Sequence, residues 1–167
     1  MKCLMFSAAL AIVYWLDFGV GVPVKPDFDL QQFAGKWYAI AIVKTRGPPE
    51  SILVLDHIVE PLPNGDMLMQ AQIPSKDKCK EENIHLSHTD RAGIFTTEKE
   101  RVLSVVEASY ESYYILSIET PKNGVLQLFA RKPDVPTMVE NMYLSRAQSL
   151  GFKIKFIINF NTMDRCP

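Results

Sequence analysis

The chain has 167 residues, of which 18 are Lys or Arg and 19 are Asp or Glu, so its formal net charge is -1. The two signs are interspersed, which leaves no basic patch for nucleic acid or for a membrane surface. The length predicts one domain with one hydrophobic core.

The first residues carry the pattern of a secretory signal. A single positive charge at Lys2 precedes an uncharged, largely apolar run over residues 3–16, and small residues follow at Gly19 and Gly21. Signal peptidase prefers small residues of this kind. The run is shorter than the roughly 20 apolar residues that span a membrane. We therefore expect a signal peptide over residues 1–21, no membrane anchor, and a secreted, extracellular domain over residues 22–167.

Two cysteines, Cys79 and Cys166, lie outside the predicted signal. In an oxidising compartment, two such thiols are expected to pair. A disulfide between them would join the C-terminal tail to the body of the domain. It would also leave no free cysteine for catalysis.

Most of the remaining chain has the period-two alternation of β-strands. Residues 36–46, for example, place Trp37 on one face and Tyr38 on the other. Asn64-Gly65 separates two apolar runs and favours a hairpin turn there. The predicted strands are residues 36–46, 52–60, 67–73, 80–88, 93–98, 101–108, 112–120 and 125–131.

Two helical segments are predicted. Residues 29–33 can form a short turn before the first strand. Later, Asp134 can cap a longer helix, Pro136 suits its first turn, and apolar residues then recur at spacings of three and four until Gly151. A last strand is predicted over residues 153–159, because apolar and polar residues alternate again.

Eight successive strands followed by one helix predict an all-β fold, an eight-stranded up-and-down antiparallel β-barrel with one C-terminal α-helix packed outside. Closure removes the sheet edges that invite aggregation. An eight-stranded barrel is wide enough to hold one small ligand. A two-sheet sandwich would have the same number of strands and stays an alternative.

Three features resemble the lipocalin family, and the resemblance spans nearly all of residues 22–167. These are Gly35-Lys36-Trp37 at the start of the first strand, Arg131 at the end of the eighth, and the two cysteines, whose spacing is that of odorant-binding, urinary and epididymal-type lipocalins. The resemblance implies that Trp37 closes the bottom of the barrel and that Arg131 packs on it, so both are structural residues.

One family motif is only partly present. Lipocalins usually carry Thr-Asp-Tyr before the seventh strand, where this chain has Ala108-Ser109-Tyr110. Tyr110 therefore matches as a structural residue. The replacement of Thr and Asp leaves open how the loop is hydrogen-bonded and whether that face binds a cell-surface receptor.

The resemblance implies that the barrel binds a small hydrophobic ligand, and strand parity anchored at Trp37 and Arg131 proposes the side chains that line the cavity. A bulge could shift the second strand, where Leu53 and Leu55 are preferred. The alternative is that these side chains fill a closed core. The predicted ligand-binding residues are Ala39, Ala41, Val43, Leu53, Leu55, Met69, Ala71, Leu103, Val105, Tyr114, Leu116, Ile118, Gln127 and Phe129.

The predicted lining is almost wholly apolar, and access is expected at the open end beside residues 47–51. Gln127, Tyr114 and Tyr110 are candidates to orient a ligand. Anionic ligands are not favoured, because the predicted inward set contains no Lys or Arg other than Arg131, which is engaged with Trp37.

Catalytic and metal chemistry have little support in the sequence. His85 and His88 lie three apart on a strand and are expected to face opposite ways, so no zinc site is predicted, and His57 is isolated. The acidic pair Glu81-Glu82 is interpreted as solvated. No hydrolase, phosphate-binding or redox motif is present. We therefore predict no cofactor, no metal and no enzymatic activity.

The predicted function is that of a secreted carrier of a retinoid, fatty acid, steroid or odorant. One alternative is a lipid isomerase of the same fold, which would need a free thiol in the cavity. A second is an interaction protein, such as a protease inhibitor, acting through the loops at the open end.

Overall fold

The computed structural model describes residues 21–45, 55–75, 78–120, 123–160 and 165–166. The predicted signal peptide, apart from Gly21, lies outside these ranges. So do Leu53 and the loop 47–51 beside the expected opening.

The described chain consists mainly of strands. A four-residue helix, α1, covers Leu30–Phe33, and a longer helix, α2, covers Thr137–Ser149. The strands are β1 Gly35–Lys44, β2 His57–Pro61, β3 Met67–Ser75, β4 Lys78–His88, β5 Ile94–Thr96, β6 Val102–Ser109, β7 Tyr113–Glu119, β8 Gly124–Ala130 and β9 Ile158–Asn159.

The strands form a closed barrel. From β2 to β8 each strand pairs antiparallel with the next one along the chain, and β8 then pairs with β1. β1 also pairs with β2, with Trp37 opposite His57, so the sheet closes on itself. The predicted eight-stranded up-and-down barrel with one main helix after it is confirmed.

Asn64-Gly65 forms the turn between β2 and β3, as predicted. Gly65 has φ +91°, in the left-handed region that favours glycine. The backbone N–H of Leu62 donates to the carbonyl of Asp66 (2.8 Å), which closes the turn. The side chain of Asn64 donates to Asp66 as well (2.8 Å), so the turn is held by both main chain and side chain.

A β-bulge interrupts β1. The register with β8 shifts between Ala39 and Ala41, so that one extra residue is inserted. The N–H of Ala39 donates to the carboxylate of Asp56 (2.8 Å), and the carbonyl of Ala39 accepts from Arg165 (2.8 Å). Arg165 also forms an ion pair with Asp56. Because side chains alternate with a period of two, the inserted residue reverses which face each later residue occupies.

Two apolar clusters lie on opposite sides of the barrel wall. The inner cluster comprises Phe33, Trp37, Ala39, Ile42, Val59, Met67, Met69, Leu86, Phe95, Leu103, Val105, Tyr114, Leu116, Ile118, Val125, Phe129 and Phe160. The outer cluster, which includes residues of α2, comprises Ile40, Ala41, Val43, Val106, Ile115, Leu126, Leu128, Ala130, Val139, Tyr143, Ala147 and Phe152.

The sequence predicts the C-terminus of helix α2 but not its N-terminal cap. The predicted cap at Asp134 is wrong: Pro136 is the N-cap residue, and no side chain bonds to the first turn. The C-terminus agrees with the prediction. Gly151 has φ +81°, and the N–H of Phe152 donates to the carbonyl of Ala147 (2.9 Å), which is a Schellman motif.

The last predicted strand, residues 153–159, is mostly wrong. A single turn of 3-10 helix covers Ile154–Phe156, and only Ile158–Asn159 pairs with β1. Ile154 and Phe156 are exposed, so the apolar positions of this alternation do not face the barrel. Alternation was a weak signal here, because within the described ranges residues 154–156 form no strand pairing.

Cys79 and Cys166 form a disulfide, which confirms the predicted pairing. The bond joins the start of β4 to the C-terminal tail, next to Arg165. It thus helps to hold Arg165 against the bulge in β1.

Candidate ligand-binding site

The floor of the barrel is built on Trp37 and Arg131. The guanidinium of Arg131 lies 3.6 Å from the centre of the Trp37 ring, a favourable cation–π contact. The same guanidinium donates to the carbonyls of Ala34 (2.8 Å) and Lys36 (3.0 Å). Gly35 has φ +96°, and a Cβ at that position would lie 3.1 Å from Arg131. The glycine of the motif therefore provides both the backbone turn and the space for the arginine.

Tyr110 connects the loop between β6 and β7 to this floor. Its hydroxyl accepts a hydrogen bond from the backbone N–H of Asp29 (2.7 Å), and its carbonyl accepts one from Arg131 (2.9 Å). The loop closes through the N–H of Ser112, which donates to the carbonyl of Ser109 (2.8 Å). The Tyr110 hydroxyl, the Arg131 side chain and the backbone of Ser109 and Ser112 supply these bonds, so the loop forms without the usual Thr and Asp.

A polar pair lies directly above the floor. The Nδ1–H of His57 donates to the carbonyl of Leu55 (2.8 Å), and the hydroxyl of Tyr114 donates to Nε2 of His57 (2.8 Å). Both side chains are fully buried. Burial lowers the pKa of His57 to about 4 and raises the pKa of Tyr114 well above its usual value. Both groups are therefore neutral near pH 7.

Aromatic rings surround this pair. The ring of Phe129 is stacked on Tyr114, with centroids 4.7 Å apart, and meets His57 edge to face at 4.8 Å. Trp37 and Phe33 contact Tyr114 edge to face, at 4.8 and 4.7 Å. The polar pair is thus enclosed by apolar groups, which strengthens its internal hydrogen bond.

The structure brings most of the predicted lining residues together on the inner face. Gln127 is fully buried and lies opposite Leu116 and Ile42, which belong to the inner cluster. Leu55 is partly buried against the same cluster, and Ala71 pairs with His57. Contact with a ligand remains a prediction for these residues. The other inward members are Ala39, Met69, Leu103, Val105, Tyr114, Leu116, Ile118 and Phe129.

The predicted inward orientation of Ala41 and Val43 is wrong. Both lie in the outer cluster, because the bulge after Ala39 reverses the parity of β1. The same reversal puts Ile42 in the inner cluster and turns Lys44 to the inner side, opposite Val125 and only 6% exposed. The inward set therefore contains a lysine, and the argument from sequence against anionic ligands no longer holds.

His57 is a further inward residue that the sequence reasoning did not identify. The signal was available, because Leu55, His57 and Val59 share one parity on β2. Choosing Leu55 as inward also places His57 inward. The residue was overlooked because it was considered only as a metal ligand and not as part of the barrel wall.

His85 and His88, which were expected to face opposite ways, contact the same side chain. Both reach the carboxylate of Asp66, with Nδ1 of His88 at 2.7 Å and Nε2 of His85 at 3.3 Å. Hydrogen bonds from His88 hold the pKa of Asp66 at about 2. Within the part of the chain that the structure describes, no three His, Cys, Asp or Glu side chains form a group that could hold a metal ion.

None of the helices in the described ranges is long and apolar enough to cross a membrane.

Comparison with known proteins gives a family. The model of the lipocalin / cytosolic fatty-acid binding protein family matches residues 34–164. The chain is 25% identical to "Lipocalin" of Rhinella marina, covering 99% of this chain and 98% of that protein. It is 30% identical to "Epididymal secretory protein 4" of Zootoca vivipara, covering 92% and 90%. A more distant relative is "Prostaglandin-H2 D-isomerase" of Bos taurus, 20% identical over 86% of this chain and 82% of that protein. With its closed barrel and its Trp37–Arg131 floor, the chain belongs to the lipocalin family.

Proposed function

We propose that this protein is a secreted carrier that holds a small hydrophobic molecule inside the barrel. The observation that carries the proposal is the inner cluster, an apolar wall that rises from a floor closed by Trp37 and Arg131. Transfer of an apolar molecule from water into such surroundings is favourable without any specific polar contact. The ligand classes considered are retinoids, fatty acids, steroids and odorants.

The expected affinity is moderate. A ligand that buries about 300 Å² of apolar surface gains roughly 7 kcal/mol at 25 cal/mol per Å², before the loss of translational and rotational freedom is subtracted. The wall also contains side chains that suit varied guests. Ala39 and Ala71 are small, and Met67 and Met69 are flexible enough to repack around a guest.

The side chains of the inner cluster are each at most 4% exposed. A guest would therefore be enclosed on all sides, and its binding requires some of these side chains to change rotamer. A core filled by its own side chains would show the same burial, so binding has to be measured.

Secretion is supported by three observations. Residues 1–21 have the composition of a signal peptide. The disulfide between Cys79 and Cys166 suits an oxidising compartment. A relative that covers most of the chain is described as an epididymal secretory protein.

We do not propose an enzyme. The isomerase alternative needs a free thiol in the cavity, and Cys79 and Cys166, the two cysteines of the described chain, are joined to each other. A thiol titration of the secreted protein checks this point, with no reactive thiol expected. No contact within the described ranges favours the protease-inhibitor alternative.

Two measurements test the carrier function. Native mass spectrometry of protein secreted by its own host cells should reveal a co-purified small molecule. Titration with a fluorescent apolar probe should give saturable binding that Ala39→Leu weakens about tenfold, because Ala39 faces inward. Ala41→Leu is the matched control, since Ala41 faces the outer cluster and should leave probe affinity unchanged. Absence of both a bound mass and saturable binding would mean that the side chains fill the core.

A further inference from the structure

We propose that His57 and Tyr114 form the inner end of the ligand site and select guests that carry a terminal hydroxyl, such as fatty alcohols. This inference rests on the proposed carrier function and specifies its ligand class. It is carried by the hydrogen-bond geometry of the buried pair, which can accept a further hydrogen bond but has none to donate.

The tautomer of His57 is determined by its surroundings. Its Nδ1 lies 2.8 Å from the carbonyl oxygen of Leu55, which can only accept. Nδ1 must therefore carry the proton, and Nε2 of the neutral ring is an acceptor. The ring is neutral near pH 7, since its burial lowers the pKa of His57 to about 4.

The proton of Tyr114 is committed by the same logic. Its hydroxyl lies 2.8 Å from Nε2 of His57, so the hydroxyl donates this bond. The phenol stays protonated, because burial raises its pKa. The remaining hydrogen-bonding capacity of the pair is the lone pairs of the Tyr114 oxygen, which accept only.

The pair occupies the end of the barrel interior that a guest would reach last. His57 is opposite Trp37 in the register of β1 and β2, so it lies immediately above the floor. Tyr114 contacts the ring of Trp37 edge to face and stacks on Phe129. A guest that enters from the open end therefore meets this pair with its leading end, between apolar rings.

A hydroxyl suits this position better than an ether oxygen or an alkyl end. An alcohol donates to the Tyr114 oxygen and extends the chain of bonds from alcohol to Tyr114 to His57, in which each bond polarises the next. An ether of the same length has no donor, and its oxygen would be buried without a partner. An alkane buries no polar atom of its own, and the Tyr114 oxygen then accepts no hydrogen bond from the guest.

The test compares decanol, methyl nonyl ether and undecane, which have equal chain lengths, as competitors of a fluorescent phenylnaphthylamine probe. Neutral compounds are used because the inward Lys44 would also attract a carboxylate. We expect wild-type protein to bind decanol about tenfold more tightly than the ether. Equal affinities for the three compounds would overturn the inference and leave the carrier function intact. Absence of binding by all three would count against the carrier function itself.

Variants of the pair sharpen the result. In His57→Leu the hydroxyl of Tyr114 is released and can donate to the ether, so the preference for decanol should disappear. His57→Gln keeps an acceptor for Tyr114 and should retain the preference. Tyr113→Phe is the matched control. Tyr113 precedes Tyr114 on β7, but its hydroxyl donates to Glu107 outside the barrel (2.8 Å). Preference that persists in His57→Leu would overturn the inference.

Two further readouts cover the remaining outcomes. Gln127 is the other fully buried polar side chain that the structure describes on the inner face. If Gln127→Leu abolishes the preference and His57→Leu does not, the selectivity belongs to Gln127.

If His57→Leu fails to fold, the nitrogen resonances of the His57 ring in wild-type protein provide the test. Decanol should shift the Nε2 resonance and undecane should not; equal responses would contradict the proposal.

Discussion

The two faces of the barrel wall are built from the same strands but differ in composition and role. The inner face carries aromatic rings, two methionines and the His57–Tyr114 pair, while the outer face is mainly aliphatic and is covered by α2. The outer face packs against helix α2. The inner face combines apolar surface with a buried polar pair, which is the composition expected where a ligand binds.

The bulge in β1 is what divides residues between these faces. Before it, Trp37 and Ala39 face inward; after it, Ile42 faces inward and Val43 faces outward. Asp56 bonds to the backbone N–H of Ala39, the last residue before the bulge. A local irregularity therefore determines the chemistry of the interior over half of a strand.

The largest expected effect is on the inner face, at its floor. Trp37→Ala removes a fully buried indole, its stacking with Arg131 and its hydrogen bond to the carbonyl of Phe33 (2.9 Å). We expect the free energy of unfolding to fall by about 3 to 5 kcal/mol. Urea unfolding measures this. Trp37→Phe keeps a ring under Arg131 and should lose less; equal losses in both variants would show that the ring contact is not what matters.

The pH dependence of stability is the next expected effect. Burial lowers the pKa of His57 to about 4 in the folded protein, from about 6.5 for a histidine exposed to water. Between these values the unfolded chain binds a proton that the folded chain does not, so stability is full above pH 6.5 and falls as the pH drops to about 4. The loss is about 3 kcal/mol, at about 1.4 kcal/mol per pH unit.

Unfolding in urea at pH 7 and at pH 4.5 measures this dependence. His57→Leu provides the comparison, since it lacks the titrating group and should lose much less stability between the two values. A wild-type protein that is equally stable at both pH values would show that His57 is not buried as a neutral ring.

The bulge can be tested through its side-chain acceptor. Asp56→Ala leaves the N–H of Ala39 and the guanidinium of Arg165 without their partner. We expect a loss of about 2 to 3 kcal/mol in the free energy of unfolding, because Asp56 is only 6% exposed. Asp56→Asn keeps an oxygen for Ala39 and should lose less. If both variants retain wild-type stability, the bulge is held by the strand pairing alone.

The smallest expected effect is on the outer face. The hydroxyl of Tyr143 donates to the carbonyl of Leu126 (2.8 Å) and joins α2 to β8. Tyr143→Phe should reduce the free energy of unfolding by about 1 kcal/mol, because one buried hydrogen bond is lost. Ligand affinity should not change. Tyr113→Phe, at a half-buried position, should have a smaller effect on stability; a change in probe affinity in Tyr143→Phe would contradict the separation of the two faces.

Alternation in the sequence predicted a strand correctly where the segment pairs with a neighbouring strand on each side. Asn64-Gly65 correctly marked a hairpin, since an Asn-Gly pair between apolar runs favours one turn type. Residues 154–156 had an equally good alternation but form a 3-10 turn, and within the described ranges they pair with no strand. Alternation describes what a strand could bury, and pairing depends on which segments are adjacent in space.

Local pattern was sufficient for the number of strands, the disulfide and the apolar character of the interior, because each depends on residue type and spacing. The Trp37–Arg131 floor was predicted through the resemblance to lipocalins. Tertiary structure alone decided the facing of Ala41, Val43 and Lys44, since the bulge follows Ala39, which bonds to Asp56 and to Arg165 from the far end of the chain. It also decided that His57 and Tyr114, 57 residues apart, share one hydrogen bond. A sequence pattern has no information about distances between such remote side chains, and the closed barrel brings them together.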